Sequence, residues 1–443
     1  MATLRALRGT KRRLLLGLVL AALAVGFVFA LPSVAGRSRI ASPAQAPGML
    51  DDLCTYGPVF FLDTTTGYVV TPDGNTVFMW SYMLDGTAFQ TPGPILCAYV
   101  GQTITVNLEN TLPEPTSIVF RGQSGVTHDD PTPGLLTGEA DPGGGTVTYT
   151  FTASEPGTYL YESGTQPEKQ VQMGLYGVLV VRPALCAASP CEAYGHPTAF
   201  DDYNKDREYL IVLHELDPTA HQAVENGLPF NPSGRFERYW TVNGRSFPDS
   251  VSANNVPWLP GQPYGALVQV EPYDAGTNPH PALIRYANAG RVNHPFHPHG
   301  NHLRVIARDG RLLRGAGDED VSFEDFTRTI GAGQTYDLLF SWLFVDPWIP
   351  EEVPPESPND DADVPVTIPE LQNLVFKDDV TFYSGDPELA GTGELPVGVT
   401  SFNQCGEFYF PWHSHALFEF TNFDEGFGGL ATLLRVDPPG GCP

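Results

Sequence analysis

Apolar and polar residues alternate in short runs along most of this chain. Ile104-Thr-Val106-Asn-Leu108 and Val147-Thr-Tyr149-Thr-Phe151 place every second side chain on one face, the period of a strand that is wet on one side. Other runs are almost continuously apolar: Gly177-Val-Leu-Val-Val181, Tyr209-Leu-Ile-Val-Leu213, Leu338-Leu-Phe-Ser-Trp342 and Ala431-Thr-Leu-Leu-Arg-Val436. These predict more deeply buried strands. Beyond the first 35 residues no segment sustains a 3.6-residue apolar period, so no long helix is expected. Many short strands separated by turn signals predict an all-β fold, a sandwich or a barrel.

Composition agrees. The chain of 443 residues holds 46 glycines and 42 prolines, a density suited to tight turns between strands. The strand pattern predicts one β-unit over 54–183, a linker over 184–208, and a second unit over 209–438. Within the second, 347–369 is rich in proline and acid and reads as a surface insertion.

The N-terminus reads as a targeting segment. Arg5, Arg8, Lys11, Arg12 and Arg13 precede an apolar run from Leu14 to Leu31, and Ser33-Val34-Ala35 offers small residues for cleavage. Residues 1–35 are therefore expected to be a secretory signal, with an uncleaved membrane anchor as the alternative. An exported protein, whether secreted, periplasmic or held at the cell surface, is the expectation. The net charge of −27 becomes more negative once those five basic residues are lost. Such a surface excludes nucleic acid as a partner and disfavours anionic membranes. It is compatible with cationic partners, metal ions included. Six cysteines in an exported chain point to disulfides. Cys186 with Cys191 across a short loop is the plainest pair. Cys54 with Cys97 and Cys405 with Cys442 are the further guesses.

The candidate chemistry lies in histidine. Of 11 histidines, five fall in two short segments, His294-Pro-Phe-His297-Pro-His299-Gly300 and His413-Ser414-His415. Residues two apart in a strand share a face, so His297 and His299 can converge, as can His413 and His415. Imidazole suits copper, zinc, iron and nickel. His128, His214, His221, His280 and His302 stand alone and read as surface or core hydrogen-bonding residues. Trp412 and Phe410 read as core.

The His-Pro-x-His-x-His-Gly pattern followed by a distant His-x-His resembles the multicopper oxidases. Thr91-Pro92-Gly93-Pro94 and Gly101-Gln-Thr-Ile-Thr-Val-Asn-Leu-Glu-Asn110 look like the opening of their first domain. Gly157-Thr-Tyr159, Tyr161 and Gly174-Leu-Tyr-Gly-Val-Leu-Val180 look like its closing strands, and Asn243-Gly244-Arg245 and Arg285-Tyr-Ala-Asn-Ala-Gly290 like the start of the copper-bearing last domain. The resemblance runs from about Thr91 to Val436. It implies tandem cupredoxin-like Greek-key β-sandwiches. The short interval before Asn243 suggests the two-domain type, which assembles as a ring-shaped homotrimer.

The resemblance also shows what this chain lacks. The family's trinuclear copper cluster takes eight histidines. Its first-domain pairs fall here on Val119-Phe120-Arg121 and on Glu162-Ser163-Gly164. The blue copper site takes two histidines and a cysteine. Its positions fall on His294, Ser414 and Glu419, with Gly428-Gly429-Leu430 in the axial region. The retained candidate metal ligands are His294, His297, His299, His413 and His415. The resemblance therefore implies an exported copper-binding protein with a reduced, mononuclear histidine site and no blue centre, with zinc as the alternative ion. Two other readings stay open. One is a non-catalytic scaffold or binding protein in which an Arg121–Glu162 pair fills the vacated half of the site. The other is a copper-dependent oxidoreductase with a rebuilt site. Laccase-type dioxygen reduction is not expected, and the sequence names no small-molecule substrate.

Overall fold

The computed structural model describes residues 50–196, 200–234, 236–343, 345, 374–375, 381–382, 407–426 and 428–441. The expected signal over 1–35, the insertion over 347–369 and the Cys405–Cys442 pairing lie outside the described residues. No helix among the described residues is long and apolar enough to cross a membrane.

The alternating runs form strands at the expected places. Thr103–Asn110 and Gly145–Thr152 pair antiparallel and alternate between buried and open positions. They join Val59–Val70 and Thr76–Leu84 in one sheet. A facing sheet holds Ile95–Tyr99, Tyr176–Arg182 and Gly157–Glu162. Phe60, Trp80, Tyr82, Val106, Phe120, Tyr149 and Tyr161 fill the space between them. The second sandwich repeats the plan. One sheet runs Tyr239–Val242, Glu208–Leu216, Ala282–Asn288, Thr335–Phe340 and Leu303–Arg308; the other holds Val268–Val270, Ala431–Val436, Phe408–Ser414, His294–Pro298 and Arg328–Ile330. Trp342, Phe296, Phe410 and Trp412 lie in its core. The chain is all-β in the cupredoxin manner.

The continuously apolar runs have a specific cause. In Tyr176–Arg182 every residue is buried, and so it is in Glu208–Leu216. Leu179 and Val181 face the first core, while Tyr176, Val178 and Val180 meet Leu210 and Val212 of the second sandwich. Each strand is thus covered on one side by its own sandwich and on the other by its neighbour. Backbones also approach closely here. A Cβ on Gly310, whose φ is +69°, would fall 2.1 Å from the Tyr159 ring, so only glycine fits.

A buried ionic network crosses the same interface. Arg285 Nε donates to Glu208 Oε1 at 2.6 Å, and Arg182 Nη2 donates to Glu208 Oε2 at 2.6 Å. Arg285 Nη1 donates to Thr158 Oγ1 at 3.1 Å and lies 3.3 Å from Asp337 Oδ1. Two guanidinium groups and two carboxylates balance in charge. Burial alone would weaken both arginines, yet Glu208 and Asp337 hold the Arg285 cation above its ordinary range.

Among the described residues two disulfides are present, Cys54–Cys97 and Cys186–Cys191. Two short helices escaped the periodicity test. Pro218–Glu225 is capped by Asp217, whose side chain accepts from the backbone N–H groups of Thr219 and Ala220. Pro167–Met173 has only seven residues. At such lengths an apolar period has no room to repeat.

Removing Glu208 would leave two buried guanidinium groups with Asp337 as the one carboxylate of the network. Glu208→Ala is expected to destabilise the chain by about 3–5 kcal/mol in denaturant unfolding. Breaking the exposed Lys205–Asp206 pair by Lys205→Ala should cost less than about 1 kcal/mol.

Candidate metal centre

Sheet register gathers the histidines. His294–Pro298 runs antiparallel to Phe408–Ser414, with His297 directly opposite His413. The ladder extends past both strand ends, as His299 N donates to Pro411 O at 3.0 Å and His415 N to Pro295 O at 2.8 Å. Opposed residues and residues two apart share a face. Four imidazoles therefore meet: ring centres are 4.8 Å apart for His297 and His299, 5.1 Å for His299 and His413, and 5.3 Å for His297 and His415. His413 is buried, His297 and His299 are half-buried, and His415 is exposed.

Hydrogen bonds fix which nitrogens are free. A carbonyl oxygen can only accept, so His297 Nδ1–H donates to Phe326 O at 2.6 Å and His413 Nδ1–H to Ser414 O at 2.8 Å. The Nε2 atom of each ring is left as the lone-pair donor. His299 Nε2 lies 3.0 Å from His413 Nε2. These carbonyl partners fix the tautomer and orientation of both rings. Burial, reinforced by the neighbouring imidazoles, pushes His299 down to about 3 and His413 down to about 4. Burial lowers His297 as well. The cluster therefore keeps these rings neutral, the state a metal needs. Among the described residues no group of three or more His, Cys, Asp or Glu is placed so as to hold a metal ion. The rings are gathered but not drawn in.

His294, expected among the ligands, stands apart from these four. Along its strand, burial alternates, and His294 faces the core while His297 faces outward. Its Nδ1 is 2.9 Å from Glu419 Oε2 and its Nε2 is 3.3 Å from Glu215 Oε2. All three side chains are fully buried or nearly so. Ser414 Oγ donates to Glu419 Oε2 at 2.5 Å, and Arg291 N donates to Glu215 Oε1 at 2.7 Å. With both ring nitrogens facing carboxylates, none is free for a metal. Glu215 was not singled out from the sequence. Its signal there was a carboxylate inside an otherwise apolar strand.

The donor set at this place does not fit a blue copper ion. It offers one imidazole with both nitrogens engaged, two carboxylates and a hydroxyl, and no thiolate. Imidazoles are donors of the type that copper and zinc take.

Arg121 and Glu162 form the expected pair. Arg121 Nε donates to Glu162 Oε1 at 2.7 Å, and a second guanidinium nitrogen reaches the same oxygen. They line a cleft of about 280 Å³ with Gln172, His214, Gly290, Arg291 and Gly333, between the two sandwiches. Glu162 is thus committed to Arg121. Of the isolated histidines, His214 and His221 are buried and hydrogen-bonded, to Val171 O at 3.3 Å and to Phe78 O at 2.5 Å. Trp412 and Phe410 are core residues.

Contact with Glu215 and Glu419 outweighs the burial of His294 and raises it to about 9. The folded chain then holds this proton more tightly than the unfolded chain, whose histidine titrates near 6.5. The resulting stabilisation, about 3 kcal/mol, is complete below pH 6.5 and is lost as the pH rises through about 9. Thermal unfolding followed from pH 6 to 9.5 should show the midpoint falling over that window, and His294→Gln should remove this component.

Residues 71–185 match the multicopper oxidase family. The chain is 35% identical over 146 residues to the iron transport multicopper oxidase fetC of Epichloe festucae, covering 32% of this chain and 23% of that protein. It is 34% identical over 135 residues to copper resistance protein A of Escherichia coli, covering 30% of this chain and 20% of that protein. These matches span less than a quarter of either relative's length. In fold it resembles the blue copper oxidase from Nitrosomonas europaea, with a TM-score of 0.55, 19% identity and 85% of each chain covered. The multicopper oxidase mgLAC is similar to the same degree, with a TM-score of 0.55, 17% identity and 86% of each chain covered. Residues 71–185 thus carry a multicopper oxidase domain, and the chain as a whole is similar in fold to the multicopper oxidases.

Proposed function

We propose that this chain is an exported, copper-binding member of that family, with domains at 54–183 and 209–438, that holds a single ion in the four-imidazole site and has no blue centre. The observation that carries this reading is the convergence of His297, His299, His413 and His415. Two of their Nδ1–H groups are tied to carbonyls, and two Nε2 atoms lie 3.0 Å apart. His297, His299, His413 and His415 would hold the metal. Partial exposure of His297 and His299, with His415 exposed, gives an ion a way in and out, which suits sequestration or delivery. The kinship with copper resistance protein A supports copper over zinc.

A bound copper ion would supply one-electron exchange. The protein's part is to keep the imidazoles neutral and their Nε2 atoms facing one another. A full trinuclear centre is not supported, because Arg121 and Glu162 stand where further imidazoles would be needed, and a guanidinium beside a cation is unfavourable. For assembly we propose a homotrimer. Phe326, Leu417 and Phe418 are largely exposed near the histidine face, as a surface awaiting a partner would be.

Metal content by mass spectrometry, after expression with copper and zinc both present, tests the site. About one tightly held ion per chain without an intense blue absorption is expected. His297→Ala and His413→Ala should each weaken metal binding at least about tenfold. His294→Gln should leave it much less affected. No metal at all would instead favour a non-catalytic scaffold. Three or four coppers per chain would overturn the reduced-site reading. Mass in solution checks the trimer.

A further inference from the structure

We infer that the place of the family's blue copper is taken here by a proton, carried by His294 between Glu215 and Glu419, and that this pocket is closed to metal. The inference does not depend on the four-imidazole reading.

Geometry carries it. A neutral imidazole has one N–H and one lone pair. His294 presents both nitrogens to carboxylate oxygens, Nδ1 to Glu419 at 2.9 Å and Nε2 to Glu215 at 3.3 Å. In a neutral ring one of these contacts would set a lone pair against a carboxylate oxygen in a fully buried place, a costly arrangement. Two N–H groups satisfy both. A metal at this position would need the ring lone pair that the second proton has taken. The residues standing at the other blue-site positions join the same cluster: Ser414 Oγ donates to Glu419, and Ala416 N donates to Ser414 Oγ at 3.2 Å.

Each element packed around His294 contributes a group of suitable sign or none. Glu215 comes from the strand Glu208–Leu216, with His214 beside it in sequence drawing on the same carboxylate. Glu419 comes from the turn Leu417–Glu419, and Ser414 from Phe408–Ser414. Trp240 presents its ring edge-on, with centres 6.3 Å apart. Two carboxylates and one imidazolium leave a net negative charge, partly met by the Arg291 backbone N–H. Glu419 Oε1 is buried with no hydrogen-bond partner among the described residues.

The test is long-range proton–nitrogen spectroscopy on the full chain with nitrogen-15 histidine, the His294 signals being assigned through His294→Gln. At pH 7 His294 should show both ring nitrogens protonated. It should stay unchanged on adding one and then two equivalents of zinc ion. A His294 ring with a single proton, or one whose nitrogens shift with zinc, would overturn the inference. Signals of His297, His299, His413 and His415 report separately on the four-imidazole site: if they ignore zinc while His294 stays doubly protonated, that reading fails and this one stands. Glu419→Gln keeps the volume and removes one charge. It should weaken the hold of His294 on its second proton at least about tenfold. An unchanged titration would count against the inference.

Discussion

The Arg182–Glu208–Arg285–Asp337 network governs this molecule, because it fixes one sandwich against the other. Glu208 bridges two arginines at 2.6 Å each, and Arg285 reaches on to Thr158 of the first sandwich. Apolar packing of Val178 and Val180 against Leu210 and Val212 supplies the bulk of the contact, but it is not directional. The ionic bridge is directional, and breaking it leaves uncompensated buried charge. From Glu208 the same strand runs on to Glu215, so the interface and the His294 pocket share one rigid element. The cleft holding Arg121 and Glu162 lies between the same two sandwiches.

A common physical theme links the two altered places. Where the family resemblance implies metal ligands, this chain has organic charge pairs: Arg121 with Glu162, and His294 with Glu215 and Glu419. A bound cation balances its ligands' charge and fixes their geometry. A guanidinium or an imidazolium does the same work for carboxylates, at fixed charge and without redox chemistry. The four remaining imidazoles follow the opposite logic. Among the described residues no carboxylate is bonded to them, burial keeps three of them neutral, and their polar partners are carbonyls, the Thr327 hydroxyl and one another. One face of a sheet thus gathers neutral imidazoles while its inward face carries buried ion pairs.

Much of this was legible in sequence. Strand positions followed from a two-residue period, which is a local property. The same-face pairing of His297 with His299 and of His413 with His415 is local too, as is the loss of ligands at Arg121, Glu162 and Ser414. The helix at Pro218–Glu225 was marked by Asp217-Pro218, a capping signal that a search for long periodicity passes over. Cys186 and Cys191, five residues apart, were joined by proximity alone.

Sequence by itself thus determined the all-β class, the tandem plan and the four histidines able to act together. Tertiary structure decided that His297 stands opposite His413, because strand register is set by long-range pairing. It also decided the fate of His294. The family resemblance grouped it with the candidate metal ligands, but an odd offset of three in a strand turns it to the other face. There it meets Glu215 and Glu419, which lie 79 and 125 residues away in the chain. No local pattern reports such encounters. They arise only when two sheets close on each other and the buried charges must find partners.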